Sequence, residues 1–229
     1  METLHEIKQA IGRLPRAEQF DLEEWIREFT EARHGVSEAR PQYATEQPRY
    51  LSVEEYLKFE ETSATRHEYI GGELFAMTGA TKRHNVICLN IAIALQGHLQ
   101  GGPCRTYIEA VKVRLTAKGD EIFYYPDIAV ACGTQDQKEA FLVDPKLIVE
   151  VLSPGTARID RCEKARNYRE IPAFAEYLLI EQGKPEVTLY RRSENWIPQV
   201  LTRSDVAVEL RSLTFTLPLD RIYDGVLLD

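Results

Sequence analysis

The sequence lacks several features that would each have pointed to a class of protein. It has no excess of positive charge: 36 acidic residues face 28 basic ones in a chain of 229, and the formal net charge is −8. This balance argues against a protein that coats nucleic acid without specificity, although it allows a nuclease, whose metal-binding acids add negative charge. Neither a Ser-His pattern nor a glycine-rich phosphate loop is present, which makes a small-molecule hydrolase the weaker alternative.

Cysteine is scarce, and its four positions lie far apart in the chain. Cys88, Cys104, Cys132 and Cys162 form no C-x-x-C pair, and no histidine stands at the spacing of a zinc motif. We therefore expect four small thiols, buried or half-buried among apolar or helical residues, in a reduced compartment.

Long hydrophobic runs are absent as well. The first thirty residues contain no apolar core of signal-peptide length, and the most apolar helix, around NVICLNIAIAL, is too short to span a bilayer. These two absences predict a cytoplasmic protein.

The chain divides into three parts by composition. Residues 1–35 carry two apolar stripes at helical spacing and predict an N-terminal helical hairpin, while residues 36–49 are polar with two prolines and predict a linker. The main domain is expected at residues 50–229. Two short helices bury little surface alone, so we expect them to pack on the main domain or on a second copy of the chain, and we predict a homodimer.

The main domain reads as helix, strand, strand, strand, helix, strand, which predicts an α/β (α+β) fold with a central mixed β-sheet flanked by helices. The helices are expected at 84–99 and at about 158–171. The strands are expected at 104–115, 122–132 and 146–152, and the last two are apolar enough to be buried on both faces.

Each of these three strands carries one acid that strand alternation places among aliphatic residues: Glu109, Asp127 and Glu150. Asp127 follows Pro126 in the middle of IFYYPDIAVACG, where both residues are disfavoured in a strand. We expect a bend there that turns Asp127 toward Glu150. Three acids side by side would repel one another, and Mg²⁺, which binds oxygen ligands, would relieve this conflict. The alternatives are that the strands are not adjacent or that arginines pair with the acids.

The helix after Glu150 places Asp160, Lys164 and Tyr168 on one face, at i, i+4 and i+8. This face is expected to meet the sheet and to direct Lys164 toward the carboxylates. The alternative is an exposed lysine that pairs only with Asp160. The same helix is rich in arginines that either contact phosphates or stay solvated: Arg158, Arg161, Arg166 and Arg169.

Four segments, YYPDIAVACG, LIVEVLSPGT, DRCEKARNYREIPAFAEYLLIEQ and GGELFAMTGATKRHNVICLNI, resemble a bacterial "putative restriction endonuclease" family, formerly a domain of unknown function, of the PD-(D/E)XK restriction-endonuclease-like superfamily. The resemblance spans about residues 50 to 225. It implies a restriction-endonuclease-like core and an endonuclease that hydrolyses DNA phosphodiesters with Mg²⁺, for which Mn²⁺ can substitute. It also implies that Asp127 and Glu150 are metal ligands and that Lys164 replaces the motif lysine, since Leu152 stands at that position.

Three further residues are weaker candidates. Glu109 stands where related sequences carry an acid, so the resemblance implies a third ligand or a group that positions water. Glu73 and His84 lie in segments that resemble the family. The alternative for Glu73 is an acid on a surface strand, and the alternative for His84 is a residue that only helps to start the helix. The alternative function is a catalytically inactive nuclease-like fold that binds nucleic acid or protein.

Overall fold

The computed structural model describes residues 50–77, 79–133, 140–202 and 205–228. The predictions of an N-terminal helical hairpin at 1–35 and of a linker at 36–49 fall outside the described residues. Their boundaries, the start of the main domain at residue 50 and the homodimer therefore stay predictions.

The first described elements are held by local hydrogen bonds that the sequence predicts. Helix α1 (Val53–Thr62) starts at Ser52, whose side chain forms a reciprocal capping box with Glu55. Strands β1 (His67–Ile70) and β2 (Glu73–Ala76) form a hairpin around Gly71 and Gly72. These two glycines have φ values of 55° and 105°, which side chains rarely allow.

Helix α2 (Lys82–Leu99) confirms the helix predicted at 84–99. Thr81 caps its first turn by accepting a hydrogen bond from the backbone N–H of His84. Ile87, Ile91 and Leu95 lie one helical turn apart and are fully buried in a core shared with the sheet. In the part of the chain that the structure describes, no helix combines the length and hydropathy required to cross a bilayer.

The strands then follow in chain order: β3 (Arg105–Ile108), β4 (Lys112–Ala117), β5 (Asp120–Tyr124), β6 (Ile128–Ala131), β7 (Phe141–Leu142), β8 (Pro145–Val151), β9 (Glu176–Ile180), β10 (Glu186–Arg191), β11 (Gln199–Thr202), β12 (Ala207–Leu210) and β13 (Phe215–Pro218). Within the described ranges they form one sheet in the order β2-β1-β5-β4-β7, a second in the order β11-β10-β9-β8-β6-β3, and the pair β12-β13. A short helix, α5 (Leu219–Ile222), ends the fold.

The prediction of continuous strands at 104–115 and 122–132 is wrong, because each segment crosses from one sheet to the other. β3 pairs with β6 in the second sheet, whereas β4 pairs with β5 in the first. The two segments thus form one long hairpin that bends at Glu109 and Asp127, where the Glu109 N–H donates to the Asp127 carbonyl at 3.0 Å. Pro126 lies in this crossing, so the expected bend exists but joins two sheets. Because apolar residues lie on both sides of this crossing, the sequence does not show that the strand ends there.

The predicted central mixed sheet is confirmed. β8 and β9 are parallel, and the other neighbours in that sheet are antiparallel. α2 packs on one of its faces. A helical segment packs on the other and consists of α3 (Ala157–Ile159), a π-helical turn (Asp160–Lys164) and α4 (Ala165–Tyr168).

The expectation of four free thiols is wrong for two of them. Cys104 and Cys132 lie directly outside the paired residues Arg105 and Ala131 of neighbouring antiparallel strands, and they form a disulfide. Cys88 and Cys162 belong to no disulfide.

Candidate active site

The crossing between the sheets brings Asp127 against β8. The Asp127 N–H donates to Glu150 Oε2 at 3.2 Å, and the Val151 N–H donates to Asp127 Oδ2 at 2.7 Å. Glu150 is almost completely buried, while the side chain of Asp127 keeps 17% of its surface exposed. The two carboxylates therefore share one end of the sheet, and Asp127 lies on its solvent side.

Lys164 reaches the same place from the opposite layer. The π-helical turn places both Asp160 and Lys164 on its buried side, and such turns are frequent at functional sites. Lys164 Nζ lies 2.9 Å from Glu68 Oε1, 3.3 Å from Glu150 Oε1 and 3.4 Å from Asp160 Oδ1. We call Glu68, Asp127, Glu150 and Asp160 together with Lys164 the acid cluster. The structure thus brings Asp127, Glu150 and Lys164 together, and their catalytic roles stay predictions.

Aromatic side chains enclose the buried side of the acid cluster. The Tyr168 hydroxyl donates to Glu150 Oε1 at 3.3 Å, and the Tyr124 ring lies under Lys164 with 5.3 Å between Nζ and the ring centroid. Tyr177 donates to the backbone carbonyl of Asp160 at 2.9 Å. Because these rings exclude water, charges in the cluster are poorly screened.

Burial and crowding change the acidity of these groups. Burial is the main reason that the pKa of the Glu150 carboxyl lies well above its usual range, and the neighbouring carboxylates add to this effect while Lys164 opposes it. Burial likewise raises the pKa of Asp160, again opposed by Lys164. Burial alone would lower the pKa of Lys164, but the surrounding carboxylates outweigh it and raise that pKa well above its ordinary value. Lys164 therefore remains protonated.

Glu68 is a member of the acid cluster that the sequence did not reveal. Its Oε1 accepts a hydrogen bond from the Tyr125 N–H at 3.3 Å, directly before Pro126 and Asp127, and it forms the shortest contact with Lys164. The candidate from this hairpin was Glu73, which lies on the outer strand β2 and makes no hydrogen bond to the acid cluster among the described residues. Strand β1 pairs with β5, and β5 runs directly into the YYPD segment. Predicting this pairing would have identified Glu68 as the glutamate nearer to Asp127.

His84 and Glu109 lie beside the acid cluster. His84 Nε2 is 3.0 Å from Asp127 Oδ2. Burial lowers the pKa of His84, but the hydrogen bond and charge of Asp127 raise it by more. The interpretation that Glu109 shares a strand face with Val111 is wrong, because β3 ends at Ile108. The carboxylate of Glu109 instead lies with His84 and Cys88, and all three ligand atoms are within 4.8 Å of one another.

Two of the four helix arginines contact acidic or aromatic side chains of the fold. Arg161 forms an ion pair with Glu181, and the Arg169 guanidinium lies over the rings of Tyr190 and Trp196. Arg158 and Arg166 are exposed. Phosphate contacts by this segment stay a prediction.

Comparison with known proteins relates most of the described chain to one family. The model of the family described as "Uma2: Putative restriction endonuclease" matches residues 53–220. Two relatives come from Synechocystis. "Uncharacterized protein slr1290" is 35% identical over 179 residues, which are 77% of this chain and 93% of that protein. "Uncharacterized protein sll1609" is 32% identical over 164 residues, which are 69% of this chain and 92% of that protein.

One solved structure has a similar fold. It is the crystal structure of "a putative nuclease belonging to DUF820" from Anabaena variabilis, with a TM-score of 0.63 and 19% identity. The match covers 77% of this chain and 99% of that one. At this identity, the likeness establishes a shared fold alone.

Proposed function

Because the chain belongs to the Uma2 "putative restriction endonuclease" family, we propose that it is a Mg²⁺-dependent endonuclease that hydrolyses the phosphodiester bonds of DNA. The membership confirms the resemblance found in the sequence. Metal dependence, substrate and site residues are the parts of this proposal that need support from the site itself.

The observation that carries the proposal is the charge imbalance of the acid cluster. Three carboxylates, those of Glu68, Glu150 and Asp160, surround a single ammonium group, and the carboxylate of Asp127 lies beside them on the Val151 N–H. Glu150, Asp160 and Lys164 are almost fully buried. Asp160 Oδ1 is buried and has no hydrogen-bond partner among the described residues. A fold would not retain this excess of buried negative charge for stability, since unpaired buried charges are costly. Perturbed groups of this kind are typical of functional sites.

The residues fit a hard divalent cation. All the acidic side chains of the cluster offer oxygen, which is the ligand that Mg²⁺ prefers, and Mn²⁺ accepts the same ligands. We propose that Asp127 and Glu150 hold the ion, since they meet at the partly open end of the sheet. When bound, Mg²⁺ supplies Lewis-acid stabilisation of the phosphate and lowers the pKa of water.

Lys164 has a different role from a general base. Its raised pKa keeps the ammonium charged at neutral pH, so it contributes positive charge and N–H donors near the carboxylates. Leu152 stands at the motif position of the lysine and is 3% exposed, buried in the core that also contains Tyr168. This packing supports the proposal that the catalytic lysine comes from the π-helical turn. Glu109 is also a catalytic candidate, because its backbone N–H donates a hydrogen bond to the carbonyl of Asp127.

A cleavage assay tests the proposal directly. The purified full chain, incubated with supercoiled plasmid or single-stranded DNA, is expected to cut in Mg²⁺ or Mn²⁺ and to stop in EDTA. Asp127→Asn should abolish cleavage, whereas Glu73→Gln on the outer strand of the neighbouring hairpin should retain it. Equal cleavage by Asp127→Asn and the wild type would refute the site assignment.

One observation favours the alternative of an inactive binding module. Lys164 has three N–H donors and lies within 3.4 Å of three carboxylates, so a phosphate would compete with these carboxylates for the ammonium group. Calorimetric titration separates the two functions. Binding of Mg²⁺ that is lost in Asp127→Asn favours the enzyme, and absence of binding at millimolar Mg²⁺ favours the module.

A further inference from the structure

A second group of ligating side chains lies next to the acid cluster and is chemically different from it. His84 and Cys88 are four residues apart on α2, and Glu109 approaches them from the bend of the long hairpin. One ligand atom from each residue lies within 4.8 Å of the other two. The sequence-based statement that no histidine stands at zinc-ligand spacing is therefore wrong for Cys88.

The imidazole of His84 is already oriented by Asp127. Its Nε2 is hydrogen-bonded to Asp127 Oδ2 at 3.0 Å, and a carboxylate can only accept, so Nε2 carries the hydrogen. The other ring nitrogen, Nδ1, faces Cys88 and lies 3.5 Å from its Sγ. Histidines that bind metals commonly donate their second N–H to a carboxylate, which fixes the ring in the same way.

Glu109 has an unusual backbone conformation and an unused carboxylate. Its φ is 43°, in the left-handed region that a residue with a side chain rarely adopts. Its N–H donates to the Asp127 carbonyl, and its own carbonyl accepts from Arg66. The carboxylate has no hydrogen-bond partner among the described residues. Residues held in such conformations cluster at functional sites, where strain of about 1–3 kcal/mol is retained.

An ion can reach this group from solvent. Glu109 lines an open cleft of about 470 Å³ at the first turns of α2, together with Thr81, Lys82 and Asn85. His84 and Cys88 lie on the buried side of the same turns, with exposures of 8% and 4%. The group is thus enclosed by the core on one side and open through Glu109 on the other.

The donor set selects the class of metal. A nitrogen, a thiolate sulfur and a carboxylate oxygen suit Zn²⁺ and similar transition metals, whereas Mg²⁺ prefers oxygen alone. Bonds of about 2.0–2.3 Å in a tetrahedral site put ligand atoms roughly 3.5 Å apart, and His84 Nδ1 and Cys88 Sγ have that separation in this structure. Glu109 would move inward by roughly an ångström, and water would complete the site.

We propose that His84, Cys88 and Glu109 bind one zinc-class cation, at a site separate from the Mg²⁺ ligands Asp127 and Glu150. On binding, the Cys88 S–H loses its proton to solvent and a metal–thiolate bond forms, with no change in oxidation state. This site goes beyond the proposed nuclease activity and does not depend on it.

Cobalt provides a test that is independent of DNA cleavage. Co²⁺ added to the metal-free full chain should give one equivalent of thiolate-to-metal charge-transfer absorption, which added Zn²⁺ should remove. Cys88→Ser should abolish this band. Cys162→Ser, which changes the other cysteine outside the disulfide, should retain it, and so should Glu150→Gln, which alters only the proposed Mg²⁺ site.

A variant outside the core covers the case in which Cys88→Ser fails to fold. Glu109→Gln should keep the native circular dichroism spectrum and weaken Co²⁺ binding by about tenfold or more. A missing band in the wild type, a band that persists in folded Cys88→Ser, or unchanged affinity in Glu109→Gln would each overturn the proposal. A chain that cleaves no DNA but shows the band would refute the nuclease and support this site.

Discussion

Two buried carboxylate networks lie on neighbouring parallel strands, and only one of them is balanced. Glu150 on β8 belongs to the acid cluster, and Glu176 on β9 belongs to a network that we call the arginine network, made of Glu176, Arg191, Arg211 and Ser212. The two glutamates are 3% and 2% exposed, so burial does not distinguish them. Their partners do.

Glu176 has its negative charge and its hydrogen-bonding capacity satisfied locally. Arg191 Nε lies 3.4 Å from Oε1, an ion pair without good hydrogen-bond geometry, and the Arg211 N–H donates to the same oxygen at 2.8 Å. The backbone and hydroxyl of Ser212 donate to Oε2. Glu150, by contrast, shares one lysine with two other acids and lies against Asp127. A balanced network is typical of a structural role, and the unbalanced one is the network whose charge the proposed Mg²⁺ would neutralise.

The largest difference should appear in catalysis. Glu150→Gln should reduce DNA cleavage by about a hundred- to a thousandfold, because it removes a charged group from a water-poor site. Glu176→Gln should keep the activity of each folded molecule, since its carboxylate contacts only the arginine network. Single-turnover cleavage rates, corrected for folded fraction, measure both. Comparable losses of cleavage rate in Glu150→Gln and Glu176→Gln would contradict the distinction between the two networks.

The free energy of unfolding in EDTA should be more sensitive to Glu176→Gln than to Glu150→Gln, which is the reverse of the order expected for cleavage. Glu176→Gln should lower the free energy of unfolding by about 1–3 kcal/mol, because an amide N–H₂ group replaces one acceptor oxygen of the buried carboxylate and Arg191 keeps only the more exposed Glu194 as an ion-pair partner. Glu150→Gln should leave that free energy unchanged or raise it, since Lys164 keeps Glu68 and Asp160 as partners. Urea denaturation of both variants checks this, and a larger loss in Glu150→Gln would contradict it.

Mg²⁺ should stabilise the unbalanced network alone. At a concentration of about 100 times the dissociation constant, the ion should add about 2.7 kcal/mol to the free energy of unfolding. For a domain of this size, that corresponds to a rise of roughly 5–10 °C in Tm. Thermal scans should show the shift in the wild type and in Glu176→Gln. An equal shift in Asp127→Asn would place the ion elsewhere.

The smallest effect concerns the two glutamates of the first hairpin. Glu68→Gln should reduce cleavage by about tenfold, or about 1.4 kcal/mol, since it removes charge beside Lys164 while the amide oxygen still accepts from the Tyr125 N–H. Glu73→Gln should change stability by less than about 0.5 kcal/mol, as surface substitutions usually do. Rates for both variants at saturating DNA test this, and identical rates would remove Glu68 from the site.

The contrast between these glutamates shows where sequence reasoning succeeded. The capping box, the glycine hairpin, α2 and the buried strand β8 follow from short-range patterns. The helical spacing of Asp160, Lys164 and Tyr168 also gave the buried face, because one turn lies on one side of a helix. Glu68 was missed because both hairpin strands carry a glutamate, and only the pairing of β1 with β5 decides between them.

The change of sheet was hidden for a related reason. A strand that is buried in either layer carries the same aliphatic residues, so composition does not record which sheet it joins. Ile108 and Ile128 look like the middle of a strand but mark the ends of β3 and β6. The disulfide was missed likewise, since Cys104 and Cys132 meet only through the register of these two strands.

The bent hairpin also restricts which changes in chain length the fold can accept. Its outer turn, at Lys118 and Gly119, is exposed and joins two strands of one sheet, so added residues there would leave the acids in place. An insertion between Tyr125 and Asp127 would turn β6 over by one residue and exchange its two faces. Asp127 would then point away from β8, although every side chain of the site would still be encoded. Deletions and insertions should therefore be tolerated at one end of this hairpin and excluded at its bend.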